Sequence, residues 1–219
     1  MSSLALLFVG AVLFVNGLVF LDRVDSRAAV PINLLVGTLL VFVALTEAWS
    51  ASTLADGQRT ILFGATGFTL FGFTYLTVAA NTLFGGTGAA LGYYCGWASV
   101  IAAVLAAVNF TAVDGALMGW LWAAWVVLFL AFALALLSGK PVLATAAGIL
   151  AVLQSLATAT LPALAMIDGS WGARGPWTPT VNAVVQCLGI AIYIIVVTTG
   201  TFRGQNRAPS RGHEHAAAL

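Results

Sequence analysis

Polar positions along this chain are sparse and clustered, and the apolar stretches between them are long. Apolar runs bounded by glycine, proline and charge predict seven helices, over approximately 3–20, 30–50, 59–81, 89–110, 116–137, 142–166 and 178–200. Each is about the length that crosses a bilayer as helix. The connectors are short: "DRVDSRAAVP" joins the first two runs, "SGKP" the fifth and sixth, and "DGSWGARGPWTP" the last two. The first run, "LALLFVGAVLFVNGLVFL", has no basic segment before it and no A-x-A site after it, so it reads as a first span and not as a cleaved leader. Residues 1–200 are therefore expected to form a single transmembrane domain. Residues 201–219, "TFRGQNRAPSRGHEHAAAL", are expected to form a disordered cytoplasmic tail. No internal repeat is visible.

Composition sharpens this picture. The chain has 219 residues, 61% hydrophobic and 7% charged, with a mean hydropathy of +1.04. A soluble domain carries about 25% charged residues, so this chain cannot cover a water-facing surface and reads as an all-α integral membrane protein. A net charge of +1 leaves no basic face for nucleic acid. Arg23, Arg27, Lys140, Arg203, Arg207 and Arg211 share one side of a seven-span topology, and only Arg59 and Arg174 fall on the other. The positively charged side is cytoplasmic, which predicts a cell-membrane protein with its N-terminus outside and its C-terminus inside. A six-span count would separate the tail from the other positive charges.

The spans lack the groups that most membrane chemistry needs. Glu47 and Asp114 sit near predicted ends, and no midplane position carries a charge. Ion-coupled pumps and transporters keep such charges for use, so an uncharged substrate, or none, is expected. The single lysine, Lys140, lies in a loop, which excludes a Schiff-base pigment. No nucleophile–base pair is visible, so the chain does not read as an enzyme. Cys95 and Cys187 form no CxxC and read as small core residues; His213 and His215 lie in the tail. No metal or cofactor is expected.

What remains is uncharged but selective. On the third helix Phe71 and Tyr75 share a face at i, i+4. On the fifth, Trp122, Trp125 and Phe129 do so; on the first, Leu6, Val9, Leu13 and Asn16. On the sixth, Gln154 is the polar side chain expected to be most buried. Plainer roles exist for such residues. Trp120 and Trp177, near helix ends, suit an interfacial belt. Gly10, Gly17, Gly64, Gly67 and Gly72 suit close helix approach, and Gln154 suits an interhelical hydrogen bond. Trp125 and Phe129 lie too deep for a belt. A pore explains them. An amide entering hydrocarbon loses hydrogen bonds at a cost of roughly 2–7 kcal/mol each. Tyr75, the indole N–H groups, Gln154 and Asn16 could offset that cost, while ions would stay uncompensated.

Four segments resemble the urea and short-chain amide channel family, AmiS/UreI: "LLFVGAVLFVNGL", "LFGFTYLTVAAN", "WAAWVVLFL" and "LQSLATATLPAL". The resemblance spans about residues 4–166. It implies a passive channel in the cytoplasmic membrane, with six pore-forming helices per protomer and protomers in a hexameric ring. It also implies a functional link to an amidase or urease. Carried over motif by motif, the family's constrictions fall on Leu6, Leu13, Phe71, Tyr75, Trp122, Trp125 and Phe129, and its polar pore position on Gln154. The acid-gated urea branch has glutamate at Gln154 and tryptophan at Phe129, and both changes favour the amide branch or a broader specificity here. Its histidine-rich outer loops have no counterpart in 51–58, 111–115 or 167–177, so no acid gating is expected. The seventh helix is an addition to the six. Two other readings compete: a non-transporting structural or sensory subunit, and a secondary transporter of small amides.

Overall fold

The computed structural model describes residues 2–53, 58–113, 115–172 and 176–206. All regular structure among them is helical: α1 Ser2–Phe20, α2 Val30–Ser52, α3 Gln58–Phe84, α4 Ala89–Thr111, α5 Ala116–Ser138, α6 Pro141–Gln154, α7 Leu161–Asp168 and α8 Pro179–Asn206. A π-helical turn, Ser155–Thr160, joins α6 to α7, so these three pieces make one span. Seven spans result, each long and apolar enough to cross a membrane. The first six match the predicted runs to within a few residues, and the last continues to Asn206, past the expected end at 200. Asp114, Arg174, Arg207, Arg211, His213 and His215 lie outside the described residues.

Local chemistry sets the boundaries. Pro31 and Pro141 stand in the first turns of α2 and α6, where a missing N–H leaves no intrahelical bond unmade. Gly139 ends α5 in the left-handed region at φ 63°, which lets the chain reverse into Pro141. The π-turn follows from Pro162. That residue cannot donate to the carbonyl four positions back, at Thr158, and its ring crowds it. The backbone widens instead: Leu161 N–H bonds to the Leu156 carbonyl, and Thr160 Oγ1 donates to the Ser155 carbonyl at 2.9 Å.

α2 packs along α3, and α4 along α5; α1 lies against α6 and the π-turn. Small residues bring these pairs close. A Cβ on Gly72 would stand 3.2 Å from the Gly37 carbonyl, and one on Gly17 3.0 Å from the Gly148 carbonyl. Gly64 departs from that expectation: its nearest neighbour would be Glu47 Oε2, at 3.6 Å. Leu13, Leu40, Leu105, Leu121, Leu128, Phe129 and Leu150 are fully buried. Leu35, Phe42, Trp49, Trp97 and Val100 face outward, as a surface solvated by lipid tails allows.

α8 docks on α5 and α6 and leaves most of its surface exposed. Its buried side chains are polar, while Tyr193 packs against the core from its edge. Asn182 Nδ2 donates to the Leu117 carbonyl at 3.1 Å, and Gln186 Nε2 to Asn182 Oδ1 at 3.1 Å. Cys187 faces outward on this helix, against the expectation of a core residue, because the buried stripe of α8 passes through Asn182 and Gln186 instead. Cys95 is buried as expected.

Candidate functional site

α3 and α5 each bring a run of rings to the bundle interior. Their spacing puts Phe71 and Tyr75 one turn apart on α3, and Trp122, Trp125 and Phe129 on one face of α5. Phe71 is the hub. Its ring lies 5.1 Å from Trp125, edge to face at 80°, and 5.1 Å from Phe129; Tyr75 and Trp122 follow at 6.1 and 6.5 Å. Trp122 and Trp125 meet edge to face at 4.7 Å and 87°. Such pairs are worth about 0.5–1.5 kcal/mol beyond their buried area. All five rings are buried.

This layer separates two vestibules. One, of about 740 Å³, opens where α1, α3 and α5 begin, and Leu6, Phe71, Trp122 and Trp125 line its floor. Glu47 and Arg59 line its walls. The other, of about 400 Å³, opens at the opposite end and is lined by Asn16, Tyr75, Asn81, Asp22 and Phe132. Leu13, Phe129 and Gln154 line neither and lie between. Phe71 faces one vestibule and Tyr75 the other, so the ring layer is about one helical turn thick, roughly 6 Å.

The layer carries no formal charge, but its polar atoms are unevenly used. Trp125 Nε1 donates to Thr158 Oγ1 at 2.9 Å, and Thr158 Oγ1 donates to the Gln154 carbonyl at 2.6 Å. Gln154 Nε2 donates to the Ala124 carbonyl at 3.2 Å, while its Oε1 is buried with no partner. The Tyr75 hydroxyl is likewise buried and unpartnered. Buried polar atoms normally find a partner, so two open hydrogen-bonding atoms in one apolar layer are the features that a passing polar molecule would satisfy. Asn16 is engaged: it exchanges two hydrogen bonds with Asn33 of α2, at 2.9 and 2.8 Å.

The sequence-predicted residues therefore divide. Phe71, Tyr75, Trp122, Trp125 and Phe129 converge on one layer, and Gln154 is held to the α5 backbone beside Trp125. Leu6 stands above the layer and Leu13 within the dry core of α1. The Trp125 N–H, expected to be free for a solute, is already given to Thr158. Thr158, Asn33 and Phe132 were not singled out by sequence reasoning. Phe132 continues the α5 stripe at the next i+3 step and stacks on Phe20 at 5.2 Å, so spacing could have found it. Thr158 depends on the π-turn, whose only sequence signal is Pro162.

Residues 1–170 match the AmiS/UreI family transporter profile. A relative from Mycolicibacterium smegmatis, named for the transport of amidate substrates, is 32% identical over 219 residues, covering 100% of this chain and 98% of that one. The Rhodococcus erythropolis transporter protein AmiS2 is 35% identical over 196 residues, 87% of this chain and 91% of that one. The Helicobacter pylori urea channel in its closed state superposes with a TM-score of 0.71 at 26% identity, over 78% of this chain and 100% of the channel. Its crystal structure gives 0.66 at 26% identity, over 78% and 99%. The family match ends before α8, whereas the Mycolicibacterium relative aligns through it. Seven apolar spans, a ring-lined interior and this match together make the chain a multi-pass membrane protein that belongs to the AmiS/UreI family of transporters.

Proposed function

We propose that this protein is a passive channel for urea and short aliphatic amides, conducting through the aromatic layer of each protomer. One observation carries the reading: a charge-free layer about one turn thick, with buried and unpartnered polar atoms at Tyr75 and Gln154, lies between two vestibules. A planar neutral solute can slide between ring faces and exchange water for those two groups. An ion would meet no compensating charge there. The names of two of these proteins, an amidate-substrate transporter and a urea channel, support the same solute class. The uncharged Gln154 and the ring of Phe129 favour the amide branch.

Several finer features belong to this reading. Leu6 and Leu13 narrow the path, and Asn16 borders the inner mouth. The N-terminus lies outside and residues 1–200 form the channel domain, with the remaining tail in the cytoplasm. Protomers assemble as a homohexamer, and an amidase or urease consumes the solute. No histidine stands in the outer connectors, so flux is independent of acidification. Proteoliposome swelling in acetamide and urea tests the proposal. Protein-dependent permeability to both, with none to sodium, is expected; the absence of any protein-dependent permeability overturns it.

A further inference from the structure

Thr158 is fully buried, lies in the π-turn and touches both partners that the layer depends on. Its hydroxyl hydrogen is committed to the Gln154 carbonyl and its lone pair receives the Trp125 indole N–H. A regular α-helix would not have to put this side chain where it is; the register is widened locally by Pro162. Gly10 of α1 accommodates the widened backbone. A Cβ there would collide with Thr160 Oγ1 and stand 3.0 Å from the Ser155 carbonyl. The turn is thus packed in place, and with it the Trp125 ring, which stands edge-on to Phe71 and Trp122.

We propose that Thr158 is a positioning residue of the transport path: it fixes the orientation of Trp125 and takes the indole N–H out of reach of the solute. The solute then meets Trp125 as a ring only. Among the fully buried side-chain polar atoms of the layer, the unpartnered ones are Gln154 Oε1, an acceptor, and the Tyr75 hydroxyl; the indole of Trp122 borders the outer vestibule. Gln154 Oε1 and the Tyr75 oxygen can both accept from solutes that bring N–H donors, which urea and primary amides do. The transport half of this inference rests on the channel reading; the hydrogen bond does not.

Two measurements test it separately. The first is the hydrogen-bond-sensitive indole band in ultraviolet resonance Raman, taken as wild type minus Trp125→Phe. A strongly bonded N–H is expected for Trp125, and a free-indole band would overturn the assignment even if the protein conducts nothing. The second is solute flux in reconstituted wild type, Thr158→Ser and Thr158→Val. Serine keeps the hydroxyl and should retain flux and selectivity. Valine keeps the shape and frees the N–H, and acetamide flux should fall about fivefold, near the rate equivalent of one hydrogen bond. That loss should vanish when Thr158→Val is made in Trp125→Phe, which has no N–H to hold. Equal losses for serine and valine, or a valine loss that persists in Trp125→Phe, would reduce Thr158 to a packing residue.

Discussion

α5 and α8 are both apolar spans, and they use that apolarity in opposite ways. In its most apolar stretch α5 buries 56% of its residues, whereas α8 buries 11%. α5 is buried through Trp122, Trp125, Leu128, Phe129 and Phe132; α8 presents Val184, Leu188, Ile194 and Ile195 outward and is tied to α5 by Asn182, whose amide Gln186 of the same helix braces. Lipid tails are as apolar as leucine, so hydrophobicity places a helix in the membrane without drawing it into a bundle. Rings that interlock, or amides that bond, do that. The family match stops before α8 as well, so the helix most loosely tied to the bundle is also the one outside the shared unit.

The strongest way to break this contrast is to empty α5. Trp125→Ala should destabilise the protein by about 3 kcal/mol or more in thermal or denaturant unfolding, because a buried indole and its ring contacts are lost. The same variant should change acetamide flux. Overfilling the layer comes next. A Cβ on Gly67 would stand 2.5 Å from the Trp122 ring, so Gly67→Val should cost about 1–3 kcal/mol and lower flux. On α8, Asn182→Leu should cost only about 0.6–1 kcal/mol, the range of interhelical hydrogen bonds in membranes, and leave flux unchanged. Leu188→Ala, on the outward face, should stay within about 0.5 kcal/mol. A loss at Leu188 comparable to that at Trp125 would erase the contrast and make α8 part of the core. The smallest expected change is with pH: acetamide flux at pH 5 and 7 should agree within about twofold, since no histidine lines the outer connectors.

The spans were legible because a membrane helix needs little beyond length and apolarity, and both are read directly from residues such as those of α1 and α5. The ring layer was legible too: Phe71 with Tyr75, and Trp122 with Trp125 and Phe129, share faces by spacing alone. Spacing could not say which polar atoms were already spent. Asn16 read as a free polar group, yet its amide is closed on Asn33, seventeen positions away. The Trp125 N–H read as a solute donor, yet a widened turn in another span brings Thr158 to it. Cys187 read as a core residue because its surroundings are apolar, but in lipid an apolar surrounding does not imply burial. Each of these depends on a contact between distant segments, which a one-dimensional pattern does not encode.

The Asn16–Asn33 pair has a consequence for assembly. Two smooth apolar helices can slide past each other in lipid with little penalty, since every register buries similar surface. A reciprocal amide pair is satisfied in only one. Sliding α2 along α1 by a single turn, about 5.4 Å, would part the two amides and leave the fully buried Asn33 side chain without its partner on α1. The pair therefore acts as a detent that fixes the register of α1 against α2 in the folded protein.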